Sequence, residues 1–105
     1  VSRFKNKPYL MNKNFYKKIF FDSEIKYCLK YKNPAPHFSG KFAVKESLIK
    51  SINEKISLRQ IKTSYKNSKP TVSIKKLLNK KYRFIVSISH ENDIAVAVVL
   101  SEKIK

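Results

Sequence analysis

The sequence predicts an α+β fold in a single domain, residues 1–105, with N-terminal helices packed on a mainly antiparallel sheet. Two observations carry this prediction. Apolar residues in the first half recur at three- and four-residue spacing, whereas from Tyr82 onward they alternate or run as a β-branched stretch. No internal repeat and no Gly/Ser- or Pro-rich linker divides the 105 residues, which suffice for one modest core.

Residues 1–21 are basic and aromatic, and Lys13, Phe15, Tyr16, Lys17 and Lys18 fall within a helix over roughly 12–20. Asp22 or Ser23 can cap a second helix near 23–31, with Ile25 and Leu29 stacked at i, i+4. Asn33-Pro34-Ala35-Pro36 ends that helix and opens the next, because proline is tolerated in a first helical turn. The third helix covers roughly 36–53. Its Phe38, Phe42, Ile49 and Ile52 lie within about 80° of arc at about 100° per residue. Ile56 to Tyr65 reads as a strand, Lys66-Asn67-Ser68-Lys69-Pro70 as a turn, Thr71 to Ile74 as a short strand and residues 75–80 as a short helix. Tyr82, Phe84, Val86 and Ile88 alternate with Arg83, Ser87 and Ser89, a strand with one buried face. Ile94 to Leu100 reads as a buried strand, joined to the previous one by a hairpin loop at His90-Glu91-Asn92-Asp93.

The formal charge is +17. Such a field attracts nucleic acid, an acidic protein, a phosphorylated cofactor or an anionic membrane. All but Arg3, Arg59 and Arg83 of the 24 basic residues are lysine. Arginine is the usual choice for bidentate base recognition, so this bias weighs against a reader of nucleic-acid sequence. Cys28 stands alone, which excludes an intrachain disulfide and a cysteine-based zinc site and fits a reducing compartment. No stretch approaches the ~20 apolar residues of a membrane span, and no signal-peptide core is present. The chain reads as soluble.

Lys45 falls inside the apolar arc of the third helix, with Glu46 and Lys50 together on its edge. In one reading the Lys45 stem packs while its ammonium reaches water, and Glu46 and Lys50 form a surface ion pair. In the other, a carboxylate beside two ammonium groups at the rim of a groove holds a divalent cation and a polyphosphate together. His90 ends an alternating strand. Ser87 and Ser89 lack a Gly-x-Ser-x-Gly elbow, which argues against a hydrolase triad. The single glycine, Gly40, excludes a Gly-rich phosphate loop.

The segment Phe38-Ser39-Gly40-Lys41-Phe42-Ala43-Val44-Lys45-Glu46-Ser47-Leu48-Ile49-Lys50 resembles the signature helix of holo-acyl-carrier-protein synthases, phosphopantetheinyl transferases with a Lys-Glu-x-x-x-Lys core. Further matches occur in the same order. Phe21 to Cys28 resembles the family's second helix, and Asn67-Ser68-Lys69-Pro70 its Asn-Gly-Lys-Pro turn. Val86 to His90 and Ala95 to Leu100 resemble its last two strands, and Arg3-Phe4 fits the start of its first helix.

The resemblance implies transfer of 4'-phosphopantetheine from coenzyme A to a serine of apo-acyl carrier protein, with release of 3',5'-ADP, in fatty acid biosynthesis. It implies Mg2+ as cofactor, Glu46 as metal ligand and catalytic residue, and Lys50 as the catalytic group on the diphosphate. It implies coenzyme A contacts from Lys41, Lys45, Lys50, Pro70 and His90, and carrier-protein contacts from Arg3, Phe15 and Lys18. It further implies a homotrimer with sites between subunits, no nucleic-acid or membrane partner, and a place in the cytoplasm or, alternatively, a plastid. Three departures stand out. The family's first strand, with a metal-binding Gly-x-Asp, would precede Val1, so the domain is expected to lack it. Ser51-Ile52-Asn53-Glu54-Lys55 replaces a Gly-rich segment, and Ser68 replaces the turn glycine. The alternatives are a non-catalytic coenzyme A-binding relative and a basic RNA-binding protein.

Overall fold

The computed structural model describes residues 2–74, 81–91 and 94–104. Four helices come first: α1 (Ser2–Lys5), α2 (Lys13–Lys17), α3 (Asp22–Leu29) and α4 (Ala35–Ser51), with single 3-10 turns at Tyr9–Met11 and Leu58–Gln60. Two antiparallel hairpins follow. The first joins β1 (Lys62–Lys66) to β2 (Lys69–Ser73), and the second joins β3 (Tyr82–Glu91) to β4 (Ile94–Lys103). The helices-then-sheet order is the α+β arrangement read from the sequence. The short helix expected over 75–80 lies outside the described residues.

Local chemistry sets most boundaries. Pro36 sits in the first turn of α4, where its missing N–H leaves no bond unmade. α3 begins one residue earlier than expected and is not capped by Asp22 or Ser23. Its cap is Phe21, whose N–H donates to the Glu24 carboxylate at 2.7 Å. The acid three residues into the helix thus supplies half of a capping box. The strand expected over 56–65 starts late, because residues 58–60 form a turn. There the Ser57 N–H donates to Gln60 Oε1 at 2.9 Å and the Gln60 N–H to Ser57 O at 3.0 Å. The turn expected over 66–70 shrinks to Asn67 and Ser68, flanked by paired strands.

α4 organises the core. Its N-terminal half gives Ala35 and Phe38 to a cluster with Phe4, Tyr16, Ile19, Phe20, Ile25 and Cys28. Its C-terminal half gives Val44, Leu48 and Ile52 to a second cluster with Ile61, Ile74 and Val99. Because helices cover one side and the sheet another, the buried face is wider than the single stripe read from the sequence. Val44 and Leu48 are fully covered while Phe42 and Ile49 are half-buried. In the first cluster, Tyr16 lies edge-on to Phe38 with centroids 4.7 Å apart, and its hydroxyl donates to the carbonyls of Phe4 and Lys7. This ties α1 to α2.

β3 alternates as expected, with Tyr82, Phe84, Val86 and Ile88 turned toward α4. β4 departs from expectation. Only Ala95, Ala97, Val99 and Ser101 turn inward, whereas Ile94, Val96, Val98 and Leu100 are 62%, 49%, 53% and 60% exposed. The β-branched run has one face on α4, and no described residue of the chain covers the other. Across the ladder, Leu100 lies opposite Ile85, which is 64% exposed.

Asn67 and Ser68 both have positive φ, 52° and 66°. This is the left-handed pair that a two-residue hairpin needs. Asparagine tolerates it, but serine there costs on the order of 1 kcal/mol, more than the backbone freedom a glycine would lose on folding. Ser68→Gly therefore raises unfolding free energy by roughly 0.5 kcal/mol in urea denaturation.

Candidate functional site

The candidate residues fall into three neighbourhoods around α4. The first is internal. The Lys45 ammonium donates to Glu24 Oε1 at 2.7 Å, to Ile19 O at 2.7 Å and to Leu58 O at 3.2 Å. Both side chains of this ion pair are 0% exposed. Glu24 Oε2 in turn accepts from the Thr63 N–H at 2.9 Å and the Thr63 hydroxyl at 2.5 Å. Burial lowers the Lys45 pKa, and the hydrogen bond and charge of Glu24 oppose that shift. All three ammonium protons have acceptors and none faces solvent. The expectation that this ammonium reaches water is therefore corrected: all of its bonds are to groups of its own chain. Glu24 and Thr63 were missed in the sequence. The one available signal was Glu24 as a rare acid at the third position of a helix in a strongly basic chain.

The second neighbourhood is a cleft of about 580 Å³ between α4, α1 and β4. Arg3 and Phe4 close one end. Ser39, Phe42, Ala43, Glu46, Ser47 and Lys50 project from one side of α4, and Ala95 to Ala97 form the opposite wall. Glu46 is half-buried, Lys50 and Arg3 are exposed, and the Arg3 guanidinium lies 5.0 Å from the Phe42 ring centre. Among the described residues Glu24–Lys45 is the sole ion pair, so the surface pair between Glu46 and Lys50 does not form. A carboxylate and two cations without mutual partners thus share one opening. Such a site can bind a polyanion and a divalent cation together.

The third neighbourhood surrounds Gly40. A methyl group there would lie 3.2 Å from His90 Cε1, so the absence of a side chain lets the imidazole rest against α4. At the next residue, the Lys41 ammonium donates to the Thr63 hydroxyl at 3.0 Å and lies 4.7 Å and 5.4 Å from the ring centres of Tyr27 and Tyr65. Burial lowers its pKa, opposed by Cys28 and Glu24. His37 stacks on Tyr31 at 3.6 Å, and its pKa falls through burial first, then through the charges of His90 and Lys41. His90 and Pro70 share a recess of about 290 Å³ with Tyr65, Ser68 and Val86 to Ile88. Within one chain, the structure thus brings Pro70 and His90 together and Glu46 and Lys50 together, in separate openings.

Of the residues expected to meet a carrier protein, Arg3 lines the central cleft and Lys18 is exposed. Phe15 is half-buried against Phe4 with centroids 6.1 Å apart. Cys28 is buried, and burial pushes its thiol up to about 12, so it is an inert core residue. Among the described residues no group of three His, Cys, Asp or Glu side chains could hold a metal by itself, and no helix is long and apolar enough to cross a membrane.

Three kinds of comparison agree. Residues 1–99 match the family model described as the 4'-phosphopantetheinyl transferase superfamily. The chain is 34% identical over 99 residues to the holo-acyl-carrier-protein synthase of Mycoplasma mycoides subsp. mycoides, covering 92% of this chain and 86% of that one. It is 32% identical over 100 residues to the synthase of Thermodesulfovibrio yellowstonii, covering 95% and 88%. Its fold matches the crystal structure of the synthase from Neisseria meningitidis with a TM-score of 0.81 over 97% of this chain and 90% of that one, at 24% identity. The synthase structure from Thermotoga maritima gives 0.72 over 88% and 56%, at 29% identity.

The internal network predicts the fate of one substitution. Lys45→Met keeps the stem but strands the Glu24 carboxylate, and breaking a buried pair from one side costs about 3–5 kcal/mol. Urea denaturation should show a loss of that size.

Proposed function

The chain belongs to the 4'-phosphopantetheinyl transferase superfamily, and on that premise we propose that it acts as a holo-acyl-carrier-protein synthase. It moves 4'-phosphopantetheine from coenzyme A to a serine of apo-acyl carrier protein and releases 3',5'-ADP. The observation that carries this reading is the cleft in which Glu46, Lys50 and Arg3 stand without ion-pair partners among the described residues.

The chemistry suits such a cleft. The carrier serine oxygen forms a bond to the β-phosphorus, and the bond from that phosphorus to the bridging oxygen of 3',5'-ADP breaks. Little covalent work falls to the protein, so catalysis is mainly positioning and neutralisation of developing charge. Lys50 lies at the open rim of the cleft, where its ammonium can meet the diphosphate and the departing oxygen. Magnesium fits one carboxylate when a polyphosphate and waters complete its shell. Glu46 would hold it, and the ion would neutralise the diphosphate.

Lys41 and His90, gathered at Gly40, supply cationic and hydrogen-bonding groups for the 3'-phosphate, and Pro70 a flat apolar surface for the adenine. Arg3, Phe15 and Lys18 offer charge and an aromatic edge to an acidic partner. The Pro70–His90 recess and the Glu46–Lys50 cleft are separate in one chain, and pairing them across a subunit boundary would complete the site. The uncovered apolar face of β3 and β4 supports such assembly, with Ile85, Val96, Val98 and Leu100 as its centre. By resemblance to the family the assembly is a homotrimer. The bacterial relatives support action in the cytoplasm. The non-catalytic and RNA-binding alternatives gain no specific support from the geometry.

The transfer assay is direct. Incubation with coenzyme A, magnesium and apo-carrier protein should add the phosphopantetheine mass to the carrier. Glu46→Gln and Lys50→Ala should each lower kcat/KM by about 10²–10³-fold. No added mass at micromolar enzyme, or variants as active as the native chain, would count against the reading. Light scattering after gel filtration should show three chains per particle for the native protein and one for Val98→Lys, which places a charge at the centre of the apolar face. A native monomer would remove the trimer from the account.

A further inference from the structure

Among the described residues one buried side-chain polar atom has no hydrogen-bond partner, the hydroxyl oxygen of Ser39. Ser39 is 5% exposed and lines the same cleft as Arg3, Glu46 and Lys50. A helical serine can usually donate to a carbonyl one turn back. The other serines of α4 after it find partners: Ser47 donates to Ala97 O at 3.1 Å and Ser51 to Leu48 O at 2.8 Å. A buried hydroxyl left without a partner is costly, and native proteins usually meet it with a ligand or an ordered water.

Its position narrows what it can meet. Ser39 and Glu46 line one side of α4 and are seven residues apart, which is about 10 Å along the axis. A diphosphate held at Glu46 and Lys50 does not extend that far. The phosphopantetheine arm does, because its hydroxyl and first amide follow the phosphate within a few bonds. The wall beside Ser39 is Phe4 and Phe42, apolar surface suited to the dimethyl-substituted carbon next to that hydroxyl. One hydroxyl set in an aromatic wall is the complement of an aliphatic arm carrying a single polar group at that depth.

We propose that the Ser39 hydroxyl hydrogen-bonds to the hydroxyl or first amide of the phosphopantetheine arm, making Ser39 a binding residue for the transferred group; this rests on the transferase reading above. The cleft then recognises the donor at two points, the diphosphate at Glu46 and Lys50 and the arm at Ser39.

Truncating the ligand separates this role from a structural one, since 3',5'-ADP lacks the arm. Isothermal titration of the native protein and Ser39→Ala, with magnesium, should show coenzyme A binding weakened roughly two- to tenfold by the substitution. Affinity for 3',5'-ADP should be unchanged. The melting temperature should not fall, because alanine removes an unmet polar group. Equal coenzyme A affinity in the two proteins overturns the proposal and leaves the transferase reading standing. So does equal weakening of both ligands, which would indicate distortion of the helix. A higher KM for the carrier protein at unchanged coenzyme A affinity assigns the hydroxyl to the carrier and also overturns it. A native protein that binds neither ligand ends the transferase reading and this inference together.

Discussion

The structure turns on one buried ion pair. Glu24 and Lys45 meet at 2.7 Å with no exposed surface on either side chain. Each then reaches further: the carboxylate to the Phe21 and Thr63 N–H groups, the ammonium to the Ile19 and Leu58 carbonyls. The pair therefore fixes the start of α3, the middle of α4, the turn before β1 and the first paired stretch of β1. A buried pair of this kind adds little net stability over a well-packed apolar substitute. Its effect is to hold several elements in one arrangement, because any shift leaves a charged group without partners.

That arrangement decides which lysines of α4 are available for chemistry. Lys45 is half of the pair and is saturated. Lys41, one turn earlier, is buried beneath Tyr27 and Tyr65 with a single oxygen acceptor. Lys50, one turn later, emerges at the rim of the cleft with Glu46. One helix thus carries three lysines into three environments, set by where each stands around and along α4. Gly40 belongs to the same logic, since a side chain there would displace the imidazole of His90.

Much of this was legible in the sequence where the signal is local. The proline pair opened α4 as expected, and the alternation of Tyr82, Phe84, Val86 and Ile88 gave β3 its inward face. Where pairing is long-range the sequence was silent. Lys45 stood out in an apolar arc, but Glu24 lies 21 residues away and no spacing rule connects them. The strand expected from Ile56 was interrupted by a turn whose Leu58 carbonyl accepts from Lys45, a tertiary reason. The run from Ile94 to Leu100 read as a buried strand, because a β-branched stretch looks the same whether one of its faces is covered or both. Glu46 and Lys50 were legible as neighbours at i, i+4. That they stay apart and face a common opening with Arg3 required the position of α1. Ser39 carried no signal at all, since an unmet hydroxyl exists only in three dimensions.

In the proposed site Glu46 and Lys50 jointly hold the diphosphate of coenzyme A. Phosphorus-31 NMR of coenzyme A titrated with the protein observes that group directly. The native protein should shift and broaden the diphosphate resonances, and the Glu46→Gln/Lys50→Ala double variant, still folded by circular dichroism, should leave them unchanged. Diphosphate resonances that move equally with the native protein and the double variant would contradict the proposed site.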